Sequence, residues 1–150
     1  MAVLNYTTTI SAARTVREIQ DMLARHGADA IGVRYADRQP VGVYFQLTGP
    51  GGGQQQSYTL PVDVAAMSKL LAAQHADGTI NTKNMRRDVL LSNEHAARVA
   101  WRVVKDWLEA QLAIIETQMV AFDQVMLPYL ITGPNSQTLY DEYRTRELPS

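Results

Sequence analysis

The chain has 150 residues, no cysteine, three histidines and a formal net charge of −1, a length at which one domain buries about two-thirds of the surface its unfolded form exposes. The missing cysteines exclude a disulfide framework, a thiolate zinc site and a cysteine nucleophile together, and they lean towards a reducing compartment. The opening MAVLNYTTTISAAR lacks the basic and apolar parts of an export signal, and Arg102, Lys105, Asp106, Glu109, Glu116 and Asp123 interrupt the most apolar stretch, so the expectation is a cytoplasmic chain with no membrane partner.

Alternation of Leu4, Tyr6, Thr8 and Ile10 predicts a first strand with one buried face. Thr15 and Glu18 have capping-box spacing, and Val16, Ile19 and Leu23 recur at helical intervals up to Gly27, which predicts a helix over 15–26. Two β-rich runs, 30–35 and 41–47, flank the turn residues Asp37, Arg38, Gln39 and Pro40 and read as a hairpin. Beyond a Gly-rich tip at 49–53, residues 57–60 resume strand character.

Pro61 suits the first turn of a second helix, with Val64, Met67, Leu70 and Leu71 as its apolar stripe to about Gln74. Residues 75–91 have no clean period and read as a surface loop. Ser92 is the expected N-cap of a long helix over 92–127 ended by Pro128, on the order of 50 Å at 1.5 Å per residue. In the tail 132–150, Thr138 to Arg146 suits a short helix. The expectation is therefore one α+β domain over 1–150: an antiparallel sheet of about four strands and two short helices within 1–74, with the long C-terminal helix packed on the sheet.

Two apolar stripes run along that helix. One is Val104, Leu108, Leu112, Ile115, Met119, Phe122 and Met126; the other is Ala96, Val103, Trp107, Ala110, Ile114, Ala121 and Val125. A helix apolar over most of its circumference is buried on more than one side. Ordinary core accounts for both stripes, and so does a homodimer in which Trp107, Leu108, Ile114, Ile115, Met119 and Phe122 meet a partner helix.

Charge is uneven. Residues 1–68 balance, 69–105 carry +4 and 106–150 carry −5. Within the basic segment, Arg98, Arg102 and Lys105 follow one helical face at intervals of four and three, with Arg86 and Arg87 in the loop before it and Trp101 beside it. Arginine forks bind phosphate oxygens bidentately and an indole stacks on a base, so these six residues are the expected site for a nucleotide or a nucleic-acid backbone. The same residues also suit a solvated face in which the arginines pair with Glu94, Asp106 and Glu109 and the tryptophan is core.

Catalytic patterns are missing. His26, His75 and His95 lie in separate segments without metal-ligand spacing, the Gly-rich run has no following Lys-Ser/Thr, and no nucleophile elbow occurs. No metal and no cofactor is expected.

The run RVAWRVVKDWLEAQLAIIE at 98–116 with LPYL at 127–130, together with YTTTI at 6–10, TVREIQDML at 15–23 and YTLP at 58–61, resembles a widespread group of short phage and prophage proteins of no assigned function. The GGGQQQ stretch and the loop at 75–91 look like departures from it. The resemblance implies origin, an accessory protein in the cytoplasm of an infected or lysogenic bacterium, and carries over no functional residue. Three functions stay open: binding of an anionic ligand, either a host signalling nucleotide sequestered in counter-defence or single-stranded DNA; inhibition of a host protein through the long helix; and a small metal-independent enzyme.

Overall fold

The computed structural model describes residues 1–49, 53–83 and 85–147. The chain opens on a turn at 4–7 in which Asn5 has φ +66. The strand expected over Leu4–Ile10 is not formed. The segment is tied down by side chains instead: just before it Val3 N–H donates to Gln74 Oε1 at 2.9 Å, and within it the Asn5 side-chain Nδ2 donates to Asp106 Oδ2 at 2.9 Å. A left-handed Asn is tolerated in a turn but breaks the pleat a strand needs.

Helix α1 (Ala12–Arg25) is capped by Ser11, whose hydroxyl accepts from Arg14 N–H at 3.1 Å. Thr15, expected as the cap, lies one turn inside and is buried. Gly27 ends the helix at φ +94, a conformation that costs glycine nothing. Strands β1 (Ala30–Ala36) and β2 (Gln39–Thr48) form an antiparallel hairpin around Asp37 and Arg38, both at positive φ, which matches the strand twist. Opposite Tyr35 the register slips so that Val41 is extra, a bulge that accommodates Pro40 without a ladder N–H. Strand β3 (Gln55–Thr59) pairs antiparallel with β2, giving a three-stranded sheet in the order β1-β2-β3. Positions 50–52 of the expected tip lie outside the described residues.

Helix α2 (Val64–Ala76) starts after Asp63, whose carboxylate accepts from Ala66 N–H at 3.0 Å, rather than at Pro61. The segment expected as loop contains a single helical turn, α3 (Arg87–Leu90). Helix α4 (Asn93–Glu116) is capped by Ser92, as its sequence predicts, but it ends 11 residues before Leu127. Gln118 takes φ +67 and its N–H donates to Ile115 O at 2.9 Å, closing the helix. The chain resumes as α5 (Phe122–Met126), a 3-10 turn at Leu127–Tyr129, a second at Pro134–Ser136, and α6 (Leu139–Glu147). The expected rod of about 50 Å is thus a 24-residue helix, about 36 Å long.

Two apolar clusters explain why α4 is hydrophobic nearly all round. Trp101, Val104, Leu108 and Leu112 enter the cluster shared with α1, Val43, Phe45 and Tyr58. Ala96 and Val99 enter a second one with Leu71 of α2, Ile80 and Leu90. The helix that covers the second face near the start of α4 is therefore α2 of the same chain. Leu130 bridges to Tyr58 and Ile131 N–H donates to Ser57 O at 2.7 Å, so the C-terminal segment guards the β3 edge.

Candidate functional site

The expected basic strip is closed by its neighbours. Arg98 lies 3.4 Å from Glu94, Arg102 pairs with Glu18 on α1, and Lys105 lies 2.6 Å from Glu109. All three side chains are largely buried along their stems. Arg86 is exposed and bound to Asp88 at 2.6 Å, which holds that carboxyl below the usual range. Arg87 is exposed and makes no ion pair among the described residues.

Trp101 corrects the stacking expectation. It is 0% exposed, and its indole N–H donates to Pro40 O at 3.0 Å, so it offers no face to a base. The strip does not assemble an anion site on α4.

Of the six residues expected at an oligomer interface, Leu108 is fully buried in the core. Phe122 stands edge-on to Tyr58 at 5.4 Å, and Trp107 stands edge-on to Tyr129 at 5.4 Å. Ile115 packs against the core cluster. Only Ile114 and Met119 remain as exposed large apolar side chains.

Two of the histidines are fully engaged. His95 is buried; its Nε2–H donates to Tyr6 O at 2.6 Å and its Nδ1 accepts from Arg98 Nε at 3.3 Å. Burial, with Arg98 close by, pushes its pKa down. His26 caps α1 with Nδ1 2.8 Å from Met22 O and Nε2 3.1 Å from Glu116 Oε1, so neither nitrogen is left to serve as a base. The groove of about 530 Å³ between α1 and α4 mixes Glu18, Asp21 and Glu109 with Arg25 and Lys105. Among the described residues no group of three His, Asp or Glu side chains is placed to hold a metal ion, and no helix is long and apolar enough to cross a membrane.

The open face of the sheet carries an arrangement that the sequence reading missed. Odd positions of β1 and β2 (Ile31, Val33, Val43, Phe45, Leu47) pack on the core cluster, which turns the even ones outward. Two registered pairs there each set a glycine opposite a large side chain, Gly32 with Tyr44 and Arg34 with Gly42. A Cβ on Gly32 would fall 2.0 Å from Tyr44 Cζ, so the tyrosine ring lies across the strand in the space the glycine leaves. A Cβ on Gly42 would fall 3.0 Å from the Arg34 guanidinium, which lies over β2 in the same way.

Tyr44 remains 47% exposed, and Arg34 is exposed with no ion pair among the described residues. The two pairs are two residues apart along the strands, about 7 Å. Arg34 also borders a recess of about 510 Å³ that Thr59, Tyr129, Ser136 and Tyr140 line. The signal for this face was a glycine inside each of two strands, where backbone or ligand approaches closely. Comparison of the chain with family models, curated proteins and solved structures found no match.

Proposed function

We propose that the chain is a non-catalytic binding protein whose open sheet face takes single-stranded nucleic acid, one base stacking on Tyr44 and an adjacent phosphate meeting Arg34. The observation that carries this reading is the pair of glycine clearances, which bring an aromatic ring and a guanidinium over neighbouring strand glycines on one solvent-facing sheet. Every base has a π-face, so stacking of this kind tolerates sequence and contributes about 1–3 kcal/mol per base. The guanidinium supplies two parallel donors to a phosphate. The likeness of residues 98–116 to short phage proteins supports placing this role in the cytoplasm of a phage-bearing bacterium.

The chain as a whole is slightly acidic, so long-range attraction adds little and stacking carries the affinity. A labelled short single strand, titrated by fluorescence anisotropy at low and moderate salt, tests this directly. Binding should weaken about tenfold or more in Tyr44→Ala and again in Arg34→Gln, with a shallow salt slope. Free mononucleotides as competitors separate a signalling nucleotide from a strand, because the two share base and phosphate. Equal binding by wild type and Tyr44→Ala, or none at low salt, would sink the proposal.

A further inference from the structure

A groove of about 420 Å³ runs between the turn at Leu127–Tyr129 and α6, walled by Leu127, Pro128, Leu139, Tyr140 and Tyr143. Leu127, Tyr140 and Tyr143 are 44%, 51% and 55% exposed. Three large, half-exposed side chains thus share one patch, and tyrosine is among the residues that interfaces favour. The platform around Tyr44 does not account for this patch.

Charge along α6 is mostly segregated. Asp141 and Glu142 occupy its first turn, and Arg144 and Arg146 its last, where Glu147 ends the helix and leaves that turn with one net positive charge. That order complements the helix's own dipole. It also makes the helix self-complementary, since in an antiparallel pair the acidic end of each copy faces the basic end of the other. A twofold interface demands this property, because the same patch must serve both sides.

We infer that α6 pairs antiparallel with α6 of a second copy of this chain, covering Leu127 and Tyr143 and setting Glu142 of each copy within reach of Arg146 of the other. The interface lies away from α4, where the two stripes had placed it. It does not rest on the nucleic-acid reading. Tyr140 also lines the recess beside Arg34, so the test leaves it unchanged and the two proposals fail separately.

The test is sedimentation velocity on the full chain from about 1 μM to about 200 μM, the range a patch smaller than a standard interface requires. A reversible dimer is expected. Leu127→Ser with Tyr143→Ser should leave a monomer with an unchanged circular dichroism spectrum. Glu142→Arg and Arg146→Glu should each weaken association about tenfold, and the double exchange should restore it, because twofold symmetry inverts both contacts together. A monomer throughout the range would overturn the inference. So would a dimer indifferent to the single reversals, one the double exchange fails to restore, or one lost only on changing Ile114 and Met119.

Discussion

The indole of Trp101 and the carbonyl of Pro40 are joined by a buried hydrogen bond of 3.0 Å that ties the middle of α4 to the bulged start of β2. Trp101→Phe removes the donor, leaves the carbonyl without its partner and opens space where the indole lay. The expected loss is about 2–4 kcal/mol, an unsatisfied acceptor plus a cavity. Urea unfolding followed by circular dichroism reads it, and a wild-type midpoint in Trp101→Phe would show that Pro40 finds water instead.

What the sequence made legible was local. Periodicity located the bodies of α1, α2 and the first part of α4, and turn chemistry located the hairpin at Asp37–Arg38. The helix end at Thr117 was hidden because Phe122 and Met126 continue the stripe and do reach the same core, but through a turn and a separate short helix. The closure of the basic strip was hidden because Glu18, the partner of Arg102, lies 84 positions away. Trp101 looked like a platform because it neighbours charged residues in sequence, whereas its side of the helix points inward. Gly32 and Gly42 were visible as strand glycines, but only the register shows which side chains fill their space.

Gly32→Ala tests that filling. The new Cβ would meet the Tyr44 ring at 2.0 Å and force it off the sheet, at a cost of about 0.2–1 kcal/mol, the worth of a cross-strand contact, because the exposed ring can swing into solvent. In a Tyr44→Ala background the same change should be neutral or stabilising, because alanine loses less backbone entropy than glycine. A double-mutant cycle on urea midpoints measures the coupling. Strict additivity would mean that ring and glycine do not touch. Nucleic-acid binding by Gly32→Ala should fall as far as in Tyr44→Ala, although the tyrosine is still present.

His95 gives the fold a pH dependence of known sign. Its neutral form donates to Tyr6 O and accepts from Arg98, itself held by Glu94, and burial lowers its pKa. The unfolded chain, with a value of about 6.5, then binds the proton more readily than the folded one. Stability from this group is complete above about pH 6.5 and is lost as pH falls through the lower folded value. Comparing unfolding midpoints at about pH 7.5 and about pH 5 should show a drop in wild type and a smaller one in His95→Gln, whose amide can still donate and accept. An identical drop in both proteins would assign the effect to other groups.

The Arg102–Glu18 pair joins α4 to α1 with Arg102 largely buried and Glu18 about one-third exposed. Glu18→Gln should cost about 1–2 kcal/mol, less than a fully buried pair because solvent reaches the carboxylate. Glu18→Leu with Arg102→Met should recover most of that loss, since two apolar side chains leave no charge to desolvate. Thermal unfolding of the single and double variants distinguishes the cases. A double variant worse than Glu18→Gln would mean that the pair fixes the α1–α4 geometry rather than merely neutralising a charge.

Gln118 decides where α4 stops. Its left-handed φ of +67 strains any residue with a Cβ, and Thr117 supports the turn by accepting from Met119 N–H at 3.3 Å. Gln118→Gly removes that strain and should raise stability by about 0.5–1 kcal/mol, after allowing for the extra freedom glycine gives the unfolded chain. A helix continuous from 92 to 127 would respond in the opposite sense, because glycine in a helix interior costs about 1 kcal/mol. The sign of the shift in urea midpoint therefore separates the broken helix from the continuous one. A gain also fixes the turn that lets Phe122 stand against Phe45 and Tyr58.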